Sequence, residues 1–158
     1  MHWREEGSGG EQLNKTTHSA VLGRIPYGLY VVGSKTSGGV ATIIANWVCQ
    51  ISFNPSLVSI SIESDSDMRV YIEDSRFFSV NMLAENAVDV AKAFLKKSAS
   101  STSTINGKGI SITRNGTPFL KDAVASFECK VVNSISAGDH LLFVGELLEA
   151  VDNKAGKI

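Results

Sequence analysis

Short runs of β-branched and aromatic residues, separated by Gly, Asn, Pro and Ser clusters, dominate the chain from Tyr27 onward, the pattern of strands joined by turns. Tyr27 to Ser34 is followed by Ser37-Gly38-Gly39, which frees the backbone for a hairpin into a second run from Val40 to Ser52. Asn54-Pro55 punctuates the end of that run. From Val58 the stretch Leu57 to Ile62 then alternates apolar and small polar residues with the period of two that a half-buried strand requires. Phe77 to Leu83 repeats the strand composition, and Ala123 to Ile135 and His140 to Val151 are two more β-rich runs on either side of a tight Ala137-Gly138-Asp139 turn. Two segments carry helical spacing instead. Ser66 offers an N-cap for a short helix through Asp74, with Met68, Tyr71 and Ile72 on its inner face. Asn86 offers a second cap, before Ala87, Val90, Ala91, Phe94 and Leu95 at helical intervals, with Asp89 early and Lys96-Lys97 late as the macrodipole prefers. Ser98 to Pro118 is polar yet contains Ile105, Ile110 and Ile112; it reads either as a solvated, mobile insertion with one short hairpin or as a flap over a ligand. About six strands, two inserted helices and no regular alternation of the two predict a mostly β fold, an antiparallel barrel rather than a doubly wound sheet.

Composition narrows the partners. The chain has 158 residues, 43% of them hydrophobic, enough for one domain with a substantial core. That domain is expected over 18–158, after a polar arm over 1–17 that carries the Gly7 to Gly10 cluster. Fifteen basic against sixteen acidic residues leave a net charge of −1, so no global field attracts nucleic acid or an anionic membrane. No apolar run has the length of a membrane span or the form of a secretory signal, so a soluble, cytoplasmic protein is expected, and Asn14-Lys15-Thr16 and Asn115-Gly116-Thr117 have no meaning as glycosylation sites there. Cys49 and Cys129 stand far apart, neither with a Cys or His at metal-ligand spacing, so both read as reduced thiols and no metal is expected.

Two markers point to an organic cofactor: the segment from Ala45 to Ile62 and the later Gly138-Asp139-His140. Together with Arg24-Ile25-Pro26-Tyr27-Gly28-Leu29-Tyr30, Ser52-Phe53-Asn54-Pro55, Ile72-Glu73-Asp74-Ser75, Phe78-Ser79-Val80-Asn81 and Phe143-Val144-Gly145-Glu146, they resemble the flavin reductase-like family, the FMN-binding split barrels, over roughly Leu22 to Ala150. The Trp47-to-Pro55 version is similar to the flavin reductase modules of flavodiiron proteins and high-molecular-weight rubredoxins. The resemblance implies a homodimeric, six-stranded antiparallel Greek-key split β-barrel holding FMN, less often FAD, in a groove at the dimer interface. It implies an NAD(P)H:flavin oxidoreductase whose reduced flavin serves oxygen, a ferric acceptor or a partner protein such as a rubredoxin, a flavodiiron protein or a monooxygenase. A flavoredoxin, carrying electrons on tightly held FMN without using NAD(P)H, is the alternative. A pyridoxamine phosphate oxidase on a related barrel is disfavoured by the Gly-Asp-His and Ala45-Asn46-Trp47 patterns.

Carried over residue by residue, the resemblance places Ala45, Asn46, Trp47, Val48 and Cys49 along the isoalloxazine, where hydrogen-bond donors stabilise the reduced, anionic ring. It places Ser61, Ser66 and Arg69 around the phosphate and Asn81 by the ribityl chain, and His140 beside flavin and nicotinamide. Bland readings stand next to these. Trp47 can fill a core or interface, Cys49 can be a small buried hydrophobe without redox role, Asn81 can be an ordinary strand amide, and a lone His at a strand entrance can simply bind backbone. The Gly-Asp-His match favours the pocket role for His140, with hydride passing directly from nicotinamide C4 to flavin N5 without a protein base. Family members commonly carry a basic residue and a threonine where this chain has Asp67 and Met68, and Asp67 repels a phosphate unless it turns outward. Ser56 replaces the second proline of the family's Pro-Pro pair, loosening that turn. No Gly-x-Gly-x-x-Gly fingerprint separates NADH from NADPH.

Overall fold

The structure, a computed structural model, describes residues 15–95 and 103–153. In chain order the elements are α1 (Lys15–Leu22), β1 (Tyr30–Thr36), β2 (Gly39–Ala45), β3 (Val48–Phe53), β4 (Ser56–Glu63), α2 (Asp67–Ser75), β5 (Phe77–Met82), α3 (Val88–Phe94), β6 (Thr104–Ile105), β7 (Lys108–Ile112), β8 (Pro118–Leu120), β9 (Ala125–Ala137) and β10 (His140–Asp152). The N-terminal arm up to residue 14, Lys96-Lys97 and the start of the 98–118 insertion lie outside the described residues.

Seven strands form one antiparallel sheet in the order β2-β1-β5-β9-β10-β4-β3. Its two edge strands are consecutive in the chain and separated only by Asn46 and Trp47. Three Cα steps of 3.8 Å reach at most about 11 Å, so the sheet must curl until its edges meet at this link. The expected six-stranded barrel is therefore corrected to a curled seven-stranded sheet that is not closed. The extra strand arises because the Val40 to Ser52 run is not one strand: β2 ends at Ala45 and β3 starts at Val48 on the opposite edge. The curl wraps the main core, where Val32, Ile60, Ile72, Phe78 and Phe143 are fully buried.

Helix α2 caps one end of this core. Ser66 takes an extended conformation and its Oγ accepts from Met68 N at 3.3 Å, the expected N-cap, while Met68 and Ile72 turn into the core. Helix α3 starts at Val88 after Ala87, one residue beyond the expected Asn86 cap and without a side-chain cap.

From Ser103 on, the insertion contains the expected short hairpin, but it packs into a core instead of lying as a solvated loop, and none of its described residues lines the cleft. Asn106 and Gly107 both have positive φ and close the β6–β7 hairpin, the geometry of a two-residue primed turn. β7 then pairs with β8 in a three-stranded sheet. Ile105, Ile110 and Leu120 are buried with Val31, Leu83 and Phe94 in a second core on the outer face of β1. At the crossing of β8 over β1, a Cβ on Gly33 would lie 2.4 Å from Pro118 Cγ, so only glycine permits the contact. Ile112, by contrast, is exposed.

Candidate functional site

A cleft of about 860 Å³ opens where the sheet's two edges meet. One wall is β2 from Val40 to Ala45, an edge strand whose outer side carries no neighbouring strand among the described residues. Such an edge presents peptide N–H and C=O groups to whatever lies beside it. The Asn46-Trp47 link forms the floor, pinned by Val48 N donating to Asn46 O at 3.2 Å and Ser61 N donating to Trp47 O at 3.1 Å. Ser66, Asp67 and Tyr71 bring the N-terminal end of α2 to a third side, and Phe94 and Leu95 of the α3 region reach the cleft from a fourth.

His140 stands at the mouth. The two-residue turn before it, with Gly138 at φ 66°, delivers it to the first position of β10. Its ring centroid lies 4.6 Å from that of Trp47, which in turn lies 6.3 Å from Tyr27, so three rings line up across the opening. His140 Nδ1–H donates to Asp139 Oδ1 at 2.7 Å, which fixes the tautomer by occupying one ring nitrogen. That hydrogen bond, followed by the charge of the ring, holds the Asp139 carboxyl below the usual carboxylate range. Trp47 is 43% exposed, an unusual position for so large an apolar surface.

Of the residues singled out from sequence, Ala45, Asn46, Trp47, Ser61, Ser66 and His140 come together around the cleft. Four lie elsewhere. Val48 packs against the main core. Cys49 is exposed on β3, its Sγ–H donating to Gln50 O at 3.3 Å. Arg69 binds Glu73 of its own helix at 2.7 Å. Asn81 is fully buried, donating to Val31 O and Pro118 O and accepting from Leu120 N and Ser126 Oγ, so it ties β5 to β1, β8 and β9. Sequence reasoning missed the contribution of β2 and of Leu95. The first follows from β2 being an edge, which no local signal reveals; the second was visible as an apolar residue ending a helical stripe.

The flavin reductase like domain model matches residues 22–157. The chain belongs to the flavin reductase family. Flavin reductases are oxidoreductases and flavoproteins, and the known proteins similar to this chain include the ferric-chelate reductase (NAD(P)H) of Archaeoglobus fulgidus, 31% identical over 129 residues that make up 80% of this chain and 76% of that protein. Diflavin flavoprotein A 1 of Synechocystis sp. is 28% identical over 127 residues, 80% of this chain and 22% of that protein. This flavin reductase domain thus spans only about a fifth of the diflavin relatives it matches. Among solved structures, the flavin reductase PheA2 in its native state superposes with a TM-score of 0.78 at 27% identity, covering 90% of each chain. The NADH:FAD oxidoreductase SgcE6 of Streptomyces globisporus C-1027, at 23% identity, a TM-score of 0.77 and coverage of 93% and 88%, shares the fold. No helix among the described residues is long and apolar enough to cross a membrane.

A flavin fits the residues present. Organic ligands occupy pockets of about 300–1,000 Å³, a range that includes this cleft. A planar ring with a polar rim matches a free strand edge on one side and aromatic rings on the other, and the open amides of a helix start attract a phosphate. Asp67 is exposed at that helix start, beside the cleft.

Proposed function

We propose that the protein is an NAD(P)H:flavin oxidoreductase that binds FMN in this cleft and acts as a homodimer. When bound, the flavin supplies the centre that accepts hydride from the nicotinamide. The reading rests on one observation above the others: the Trp47–His140 ring pair stands across a cleft from the free edge of β2, in a chain of the flavin reductase family. In this reading the β2 edge and the Ala45-Asn46-Trp47 backbone hold the polar rim of the ring. Ser66 and the first turn of α2, with Ser61 beside them, hold the phosphate; Arg69 is committed to Glu73 and contributes from a distance. Trp47 and His140 orient the nicotinamide and exclude water, with Asp139 keeping the His140 proton on Nδ1. The naming of an NAD(P)H-dependent ferric-chelate reductase among the relatives supports nicotinamide as the electron source and a ferric complex as one acceptor. The diflavin relatives support a flavoprotein partner as another.

The test mixes the purified protein with FMN and NADH or NADPH under nitrogen and follows the oxidised flavin band. Bleaching within seconds is expected. No bleaching with either coenzyme, together with rapid reduction by a reduced rubredoxin or ferredoxin, would replace this reading by the flavoredoxin one. In FMN titrations Trp47→Ala is expected to raise Kd about three- to tenfold, the equivalent of the roughly 0.5–1.5 kcal/mol that an aromatic pair adds; an unchanged Kd removes Trp47 from the ring's surroundings.

A further inference from the structure

The wall of the cleft formed by Phe94 and Leu95 is supported from behind by residues that do not line the cleft. Helix α3, which ends in this wall, has seven residues and no side-chain N-cap, and helices shorter than about 12–15 residues are marginal on their own. Its position is therefore set by what it packs against. Phe94 is 3% exposed and lies in the second core with Ile105, Ile110 and Leu120 of the small sheet. Carbonyl groups in the last turn of a helix need partners from outside it, and Asn106 Nδ2 donates to Ala93 O at 2.8 Å. Asn106 has φ 50° and Gly107 φ 77° in the turn between β6 and β7, so the residue that closes the hairpin also reaches α3. No described residue of β6 or β7 lines the cleft. Leu95, just beyond α3 on that wall, is 72% exposed.

We infer that Asn106 is a positioning residue for the ligand of this cleft: it fixes the end of α3 and, through it, the Phe94–Leu95 wall, an inference that rests on the flavin-binding reading above. A bound isoalloxazine gains by removing its hydrocarbon surface from water, and an exposed leucine on the cleft wall is a surface against which to do so. A wall already in place spares the ligand the cost of ordering it, which is how preorganisation raises affinity. Without the Asn106 bond the Ala93 carbonyl turns to water and the last turn of so short a helix frays, so that the wall is ordered anew each time the cleft fills. The effect reaches the site with no contact between Asn106 and the ligand.

The test uses Asn106→Gly, which keeps the positive-φ turn and removes the amide, and Asn106→Asp, which also tolerates that turn and sets a carboxylate oxygen where the donor stood. Two quantities are read well below the unfolding midpoint of each protein: amide hydrogen exchange over 88–95 without flavin, and Kd for FMN by titration. Exchange there is expected to rise about three- to tenfold in both variants, and Kd to rise by a similar factor, the size of one hydrogen bond. A loss of stability alone would lower the midpoint and leave the Kd of the folded protein where it was. Exchange over 88–95 that matches the wild type overturns the inference, as does faster exchange with Kd unchanged. A wild type that binds no FMN overturns the flavin-binding reading instead, an outcome read before any substitution is made.

Discussion

Cys129 and Cys49 show how the same residue type acquires opposite properties from its surroundings. Cys129 is fully buried in the main core, and burial, with the neighbouring Glu128 charge adding to it, pushes its thiol from 9.0 up to about 12. The folded state therefore keeps this proton across a range in which the unfolded chain has lost it. The contribution is complete below about pH 9 and declines as pH rises toward 12, at about 1.4 kcal/mol per unit. Urea unfolding between pH 8 and 10.5 is expected to show wild type losing stability relative to Cys129→Ala by about that slope above pH 9. Parallel curves would mean that water reaches the thiol. The reading of both cysteines as free thiols was available from spacing alone, whereas which one is buried depends on which strand face packs against the core, and spacing does not report that. Asn81 makes the same point: an amide in a strand can face a ligand or a neighbouring strand, and only the nonlocal arrival of β8 over β1 and β5 decides that it holds the fold together.

Among the elements, the three-stranded sheet was the least legible part, although its signal was present. Asn106-Gly107 flanked by Ile105 and Ile110 is a strong two-residue hairpin signature, but the surrounding Ser and Thr residues masked it. The polar residues of the following turn have a specific task. Glu128 of β9 is buried with no ion-pair partner among the described residues, and its carboxylate accepts from Thr113 Oγ1, from Thr117 Oγ1 at 2.5 Å and from Asn115 Nδ2 at 2.6 Å. Three donors converging on one carboxylate hold the β7–β8 turn against the main sheet. Glu128→Gln turns an acceptor into a donor facing these donors and is expected to cost about 1–3 kcal/mol for each group left unpaired. Hydrogen exchange should rise first in 113–117; an unaltered exchange pattern and unfolding midpoint would show that the turn does not depend on this carboxylate. Helix α2 and the β9–β10 hairpin, in contrast, followed from local rules: Ser66 caps α2 and Gly138 turns β9 into β10 as their residue types require.

For the whole molecule, the surface of β9 and β10 remains unusually apolar. Val132, Ile135, Leu147, Leu148 and Val151 are between 36% and 50% exposed, and Phe53 at the end of β3 is 88% exposed. Apolar exposure on this scale marks an interaction surface, which supports the homodimer proposed here. Light scattering on a gel-filtered sample at micromolar concentration is expected to give the mass of two chains, and Phe53→Asp with Leu148→Asp to shift it toward one. A single-chain mass for the wild type would refute the proposal. Six of the ten residues singled out by sequence motifs line one cleft, whereas the strand number escaped those motifs because it depends on where the chain crosses from edge to edge. That crossing has its own consequence. Asn46 and Trp47 are the stitch that draws both selvedges of the sheet together, so the gap available to a guest molecule is set by the tether's span; one residue added there would slacken the mouth while leaving every ladder of the sheet intact.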